Sequence, residues 1–283
     1  MAAIAQRHRT VRKPLMGLTV VITGASSGIG QALALEYAGH DTTLGLLGRD
    51  VARLDAVAGA CRDRGAVVET GALDVRDGDA TTTWLQAFDT AHPVDLLIAN
   101  AGILSGIDPQ QCTEPAAAAL RVLDINLRGS IITVAALVDR MQARRRGHIT
   151  VISSLAGLAP QPDLPSYSAS KAGLVFYGTA LRIRLRSRGI AVSVVCPGYV
   201  ETPMADRQRS AKPLSWPADK AARYIRQRLD RKRRMIAFPW QLVFGIRLLA
   251  LMPVAVQDWI LSGFHADVVP EVTGTRQDTD SRP

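Results

Sequence analysis

Cysteine is scarce in this 283-residue chain. Cys61, Cys112 and Cys196 are too few and too scattered for a disulfide framework or a zinc cluster, so reduced thiols in a cytosol are the expectation. The five His are scattered without HExxH-like spacing, and metal catalysis has no support. Long hydrophobic runs are also missing. No stretch of about 20 uninterrupted apolar residues offers an ordinary spanning helix. Residues 1–17 carry Arg7, Arg9, Arg12 and Lys13 with no apolar segment behind them, which argues against a secretory signal.

Apolar material is plentiful at 47% of residues, enough for one large domain with a real core. Short strand-like runs alternate with helix-like ones. The strands read as Leu18–Thr23, Thr42–Gly48, Val67–Leu73, Val94–Ala99, His148–Ser153, Ile190–Cys196 and a last one at Met235–Phe238. Helices read as Gly28–Gly39, Asp50–Arg64, Asp77–Ala91, Ala116–Ala143, Tyr167–Arg188 and Pro217–Arg231, with a loop over Met204–Pro217. Strands apolar on both faces and separated by helices predict an α/β fold, a doubly wound parallel sheet. A ligand is then expected at the carboxyl ends of the strands. The expected organisation is a basic segment at 1–17, a catalytic domain at 18–238, an apolar helical extension at 239–267 and a polar tail at 268–283.

The first chemistry-bearing motif is Thr23-Gly24-Ala25-Ser26-Ser27-Gly28-Ile29-Gly30, between the first strand and the first helix. Glycine permits a tight turn and close approach of a phosphate. The helix N-terminus then offers free N–H groups to a pyrophosphate. The second strand ends Gly48-Arg49-Asp50. Gly48 leaves no acid for a ribose 2′-hydroxyl, and Arg49 can pair with a 2′-phosphate, which favours NADP(H) over NAD(H). Asp50 would be the ribose ligand if the strand ran one residue further, or else the cap of the next helix. Tyr167 and Lys171 stand one helical turn apart, where an ammonium favours the phenolate and so a proton exchange with an alcohol or carbonyl.

In order along the chain stand the Gly-rich turn, Asp74-Val75, Asn100-Ala101-Gly102, Asn126, Ser153-Ser154, Tyr167 with Lys171, and Pro197-Gly198-Tyr199-Val200-Glu201-Thr202. In these residues the sequence resembles the short-chain dehydrogenase/reductase family from about Leu18 to Met204. The resemblance implies a Rossmann-type fold and roles position by position. Ser154 would hold the substrate oxygen, Tyr167 would be the general acid/base, and Lys171 would lower the Tyr167 pKa and bond the nicotinamide ribose. Asn126 would hold a water linked to Lys171. Gly24, Ser26, Ser27, Gly28, Ile29 and Gly30 would cradle the cofactor, and Arg49, Asp74 and Val75 would face its adenosine end. Asn100, Ala101, Gly102, Pro197, Gly198 and Val200 would border it, and Thr202 would bond the carboxamide. The family often shows two consecutive Asn where this chain has Ala99 and Asn100. Homodimers or homotetramers packed through Ala116–Ala143 and Tyr167–Arg188 are also implied.

Between Ala205 and Ala250 lie twelve Lys/Arg and three Asp, equal to the whole net charge of +9. Arg231-Lys232-Arg233-Arg234 leads into Trp240, Phe244, Leu248, Leu251, Trp259 and Phe264, with Pro253 as an interruption. Cations beside Trp and Phe suit an interfacial anchor over 231–264, and equally a cover for the substrate cleft or a subunit interface. Aromatics are not interleaved with the charges as single-strand nucleic-acid binders need, so no nucleic-acid partner is expected. The leading reading is a cytoplasmic NADP(H)-dependent enzyme, with membrane association open, that interconverts a carbonyl and a secondary alcohol on a small lipophilic substrate. The rival is a non-catalytic dinucleotide sensor or scaffold.

Overall fold

The computed structural model describes residues 17–108, 110–263 and 266–267. Residues 1–16 of the expected basic segment, the tail at 268–283 and Phe264 lie outside the described residues.

Six strands alternate with helices as the apolar pattern requires. They are β1 (Leu18–Thr23), β2 (Thr42–Gly48), β3 (Val67–Ala72), β4 (Leu96–Ala99), β5 (Gly147–Ile152) and β6 (Ile190–Pro197). Between them run α1 (Gly28–Tyr37), α2 (Val51–Arg62), α3 (Gly78–Ala91), α4 (Ala116–Leu123), α5 (Gly129–Ala143) and α6 (Pro165–Leu185). The chain continues through β7 (Val200–Glu201), α7 (Pro203–Asp206), β8 (Trp216–Pro217), α8 (Ala218–Leu229), β9 (Met235–Phe238), α9 (Trp240–Leu249) and α10 (Val254–Leu261).

The main sheet has seven strands in the order β3-β2-β1-β4-β5-β6-β9, every pair parallel. Its central strands are buried on both faces, which is why they read as continuous apolar runs. One face packs Val20, Ile22, Leu44 and Leu46 against α1, α2 and α8. The other packs Val21, Leu97, Val151 and Val194 against α3, α5 and α6. α8 buries Ala221, Ala222, Ile225 and Leu229 along one stripe, which leaves Lys220, Arg223, Arg226 and Arg228 off that stripe.

Local chemistry moved some expected boundaries. The fourth strand begins at Leu96, because the Val94 N–H goes to the Asp89 carboxylate (2.9 Å) and its carbonyl to Arg144 (2.8 Å). The helix expected over Ala116–Ala143 contains one π turn at Asp124–Arg128, between α4 and α5. The apolar extension forms α9 and α10, divided at Pro253. No helix among the described residues is long and apolar enough to cross a membrane.

Candidate active site

A cleft of about 480 Å³ opens at the carboxyl ends of the strands. The order of the sheet reverses between β1 and β4, and the loops after these two strands part there. On one side stands the Gly-rich turn. Gly24 (φ +67°) and Gly28 (φ +57°) occupy the left-handed region that glycine tolerates. A Cβ on Gly24 would come within 2.8 Å of the Ala101 Cα. The Asn100 amide donates to the carbonyls of Thr23 (3.0 Å) and Gly24 (3.2 Å), and the Thr23 hydroxyl accepts from the N–H groups of Asn100 and Ala101. This clasp holds the turn so that the first turn of α1 faces the cleft. Gly24, Ser26, Ser27, Gly28 and Ile29 line it, and Gly30 lets α1 press against the turn behind.

Arg49, Asp74 and Val75 also line the cleft, with Arg53 beside them. Burial pushes the Asp74 carboxyl up, but hydrogen bonds from Arg76 and the charge of Arg49 outweigh it and hold it below the usual range. Arg49 stands 3.8 Å from Asp74 and is half exposed. Asp50 caps α2, accepting from the Arg53 N–H (3.0 Å) and pairing with its guanidinium (2.6 Å). The capping reading of Asp50 is thus the one its hydrogen bonds show.

The reacting end gathers Ser154, Tyr167 and Lys171. Ser153 and Ser154 follow β5, and their hydroxyls diverge. Ser153 is buried, lines the cleft and donates to the Lys171 carbonyl (2.7 Å), whereas the Ser154 hydroxyl, close enough to the Tyr167 phenol to hold its pKa down, accepts from the Ala156 N–H (3.2 Å), reaches the Pro197 carbonyl (3.5 Å) and does not line the cleft. Lys171 is buried, its Nζ 3.0 Å from the Ile152 carbonyl and 5.6 Å from the Tyr167 ring centre. Burial drives its pKa down to about 8. Burial raises Tyr167, Ser154 pulls it partly back, and Tyr199 adds to the rise. Desolvation is the largest influence on the phenol, and the Lys171 ammonium lies over its ring.

The comparisons with known proteins agree in one direction. The short chain dehydrogenase family matches residues 18–213. This chain is a short-chain dehydrogenase/reductase. It is 32% identical over 236 residues to an uncharacterized oxidoreductase of Myxococcus xanthus, covering 83% of this chain and 92% of that one. It is 34% identical over 211 residues to a 3-dehydrosphinganine reductase of Arabidopsis thaliana, covering 73% and 62% respectively. Among solved structures, a family member from Burkholderia phymatum in complex with NAD superposes with a TM-score of 0.76 at 25% identity, covering 87% and 95%. Another, from Sphingobium yanoikuyae in complex with NADPH, does so at 0.72 and 29%, covering 84% and 97%.

Within this short-chain dehydrogenase/reductase, the remaining expected residues divide. Asn100, Ala101, Gly102 and Thr202 line the cleft with the turn. The Thr202 hydroxyl caps α7 by accepting from the Ala205 N–H (3.2 Å). Asn126 sits in the π turn, fully buried behind Gly102. Its amide is committed to the Ile103 backbone (2.7 and 3.0 Å) and the Ser170 hydroxyl (3.2 Å), and no hydrogen bond to Lys171 occurs among the described residues. Pro197, Gly198 and Val200 do not line the cleft. Pro197 and Gly198 join β6 to β9, with the Gly198 N–H on the Phe238 carbonyl (2.7 Å), and Val200 is buried in the core.

Two contributors escaped the sequence reading. Arg53 is one, although its i,i+3 spacing from Asp50 was visible. The other is the segment after α10. Ala266 packs with Leu104, Leu164, Met204 and the Tyr167 ring. Its N–H donates to the Asp163 carboxylate (2.6 Å), and the Asp267 carbonyl accepts from the Arg209 N–H (2.7 Å). The extension therefore returns across the apolar wall beside the phenol. Among the described residues no group of three or more His, Cys, Asp or Glu could hold a metal ion.

Proposed function

We propose that this enzyme is an NADP(H)-dependent reductase that interconverts a carbonyl and a secondary alcohol on a lipophilic substrate. The observation that carries this is that Tyr167 and Lys171, with Ser154 beside the phenol, stand at the same cleft as the glycine-rich turn.

The turn and cleft fit a dinucleotide. The first turn of α1 leaves N–H groups for a pyrophosphate, and a Cβ at Gly24 or Gly30 would collide with the backbone that shapes the cradle. Gly48 leaves room beside Ser26, and Arg49 and Arg53 supply cations where a 2′-phosphate would lie. When bound, the nicotinamide supplies or accepts the hydride. Ser154 holds the substrate oxygen. Tyr167, a phenol protonated at neutral pH, donates its proton to that oxygen during reduction and recovers it in the reverse direction. Lys171, largely charged at neutral pH with a pKa of about 8, stabilises the phenolate left behind. Asn126 fixes the backbone beside Gly102 and so the floor of the cleft. Ile103, Leu104, Leu164, Met204 and Ala266 give the substrate side an apolar surface. Copies of the chain associate through α4, α5 and α6, whose surfaces expose Leu120, Phe176 and Ile183.

The test is a panel of apolar ketones followed by NADPH absorbance, with NADH alongside. Tyr167→Phe is expected to abolish turnover while NADPH still binds; retained turnover overturns the assigned role. Arg49→Ala is expected to lower the preference for NADPH over NADH by about tenfold, the scale of one lost charged hydrogen bond. An unchanged preference would remove Arg49 from cofactor selection.

A further inference from the structure

A second cavity, of about 290 Å³, lies away from the cleft along β9, the last strand of the sheet. Arg228 of α8 and Arg231 and Arg233 of the following turn converge on it beside Tyr224. The Arg228 guanidinium stacks over the Tyr224 ring, 3.2 Å from its centre, which fixes the plane of that charge. The turn is firmly built. Lys232 adopts a left-handed conformation (φ +50°), rare for a side-chain-bearing residue. Its N–H reaches the Leu229 carbonyl (2.7 Å), the Arg233 N–H reaches the Arg228 carbonyl (3.0 Å), and the Ser193 hydroxyl donates to the Arg233 carbonyl (2.6 Å). Among the described residues, none of the three arginines has a carboxylate within 4.0 Å. Three like charges held around one cavity favour an anion between them, and the planar guanidinium suits phosphate oxygens.

The surface that follows is apolar. α9 presses Leu242, Val243 and Ile246 onto the core. Its outward positions, Trp240 (71% exposed), Phe244, Leu248 and then Leu251 (84%), recur every three or four residues and form a second apolar stripe facing solvent. On α10, Val254 and Trp259 (78%) are exposed as well. The arginine cavity reaches Ala237 on the edge strand, three residues before Trp240 opens α9, so the chain passes from the cationic feature straight into the apolar one. Phosphate and acyl chains in that order are the chemistry of a phospholipid.

We propose that the Arg228–Arg231–Arg233 cavity binds the phosphate of an anionic phospholipid and that the outer stripe of α9 rests in the apolar layer below it. The enzyme then sits peripherally on an anionic bilayer. This deepens the lipophilic-substrate reading, on which it rests only for the purpose of docking, not for the binding itself.

The experiment sediments the full chain with vesicles of phosphatidylcholine alone and of phosphatidylcholine mixed with phosphatidylglycerol. Binding is expected only to the mixed vesicles, weakening as salt is raised. The doubly substituted Arg231→Glu, Arg233→Glu is expected to bind roughly tenfold less or worse, on the scale of two reversed charges at an anionic surface. Its turnover of a water-soluble ketone should be unchanged, which also reports an intact fold. Phe244→Ser should weaken vesicle binding without altering the molecular mass in solution. Three results overturn the proposal: equal sedimentation with both vesicles, equal binding of inorganic phosphate with no vesicle binding, or a halved mass in Phe244→Ser, which would assign the stripe to a second copy. Tyr167→Phe should sediment like the unaltered chain, so failure of docking and failure of the catalytic reading are read separately.

Discussion

His148 on β5 is buried with its Nε2 2.8 Å from the Ser193 hydroxyl, and desolvation, aided by the charge of Lys232, brings its pKa down to about 4. An unfolded histidine titrates near 6.5. Between those values the unfolded chain holds a proton that the native one does not, so stability is complete above about 6.5 and falls as pH drops towards 4. Acidification from pH 7 to 5 should cost about 2 kcal/mol through this residue. Thermal melts at both pH values check it, with His148→Gln losing much of that dependence; parallel losses in the two proteins would dismiss His148 as the cause. Asp89 belongs to a different window. Burial raises its carboxyl, but hydrogen bonds from Arg144 and Arg140 hold it below the usual range, so its contribution fades only in stronger acid.

Asp89 also shows what ties elements together. From the end of α3 it accepts from Arg140 (2.8 Å) and Arg144 (2.7 and 2.9 Å) at the end of α5 and from the Val94 N–H before β4 (2.9 Å). Asp89→Ala would strand two guanidinium groups and is expected to cost roughly 3–5 kcal/mol, seen as a lower urea midpoint. The segment after α10 is a second tie, made to the cleft itself. Ending the chain at Gly263 removes Ala266 with its hydrogen bond to Asp163, and the Asp267 carbonyl that accepts from Arg209. KM for bulky apolar ketones should rise roughly tenfold, the scale of a lost apolar contact, with NADPH affinity unchanged. Equal KM values would deny the segment a part in substrate binding. The parallel strands were legible because burial on both faces leaves a continuous apolar run, and the glycine turn because its geometry is local. Ala266 was not, since its partners Asp163 and Tyr167 are about a hundred residues away and an alanine carries no local signal. The π turn was hidden for another reason: its residues suit an α-helix equally well, and only the packing of Asn126 against Ile103 reveals it.

At the scale of the whole molecule, the exposed Phe176 (78%) and Ile183 (71%) of α6 are the feature that association would explain. Changing both to Asp should reduce a dimer or tetramer to a particle of 30.4 kDa in light scattering. An unchanged mass would place the subunit contact elsewhere. The strand order has a consequence for how the chain is made. β3, β2 and β1 are neighbours in the sheet and are synthesised first, after which β4, β5, β6 and β9 add outward from β1 in the order they leave the ribosome. Each parallel pairing waits for a complete crossover, so assembly is slow and edges stay open meanwhile. Until Met235–Phe238 emerges, β6 is the open edge, with Val192, Val194 and Cys196 all destined for burial. A nascent chain halted ahead of that last strand exposes a sticky, unpaired ribbon and would be prone to aggregate, whatever the state of its glycine turn.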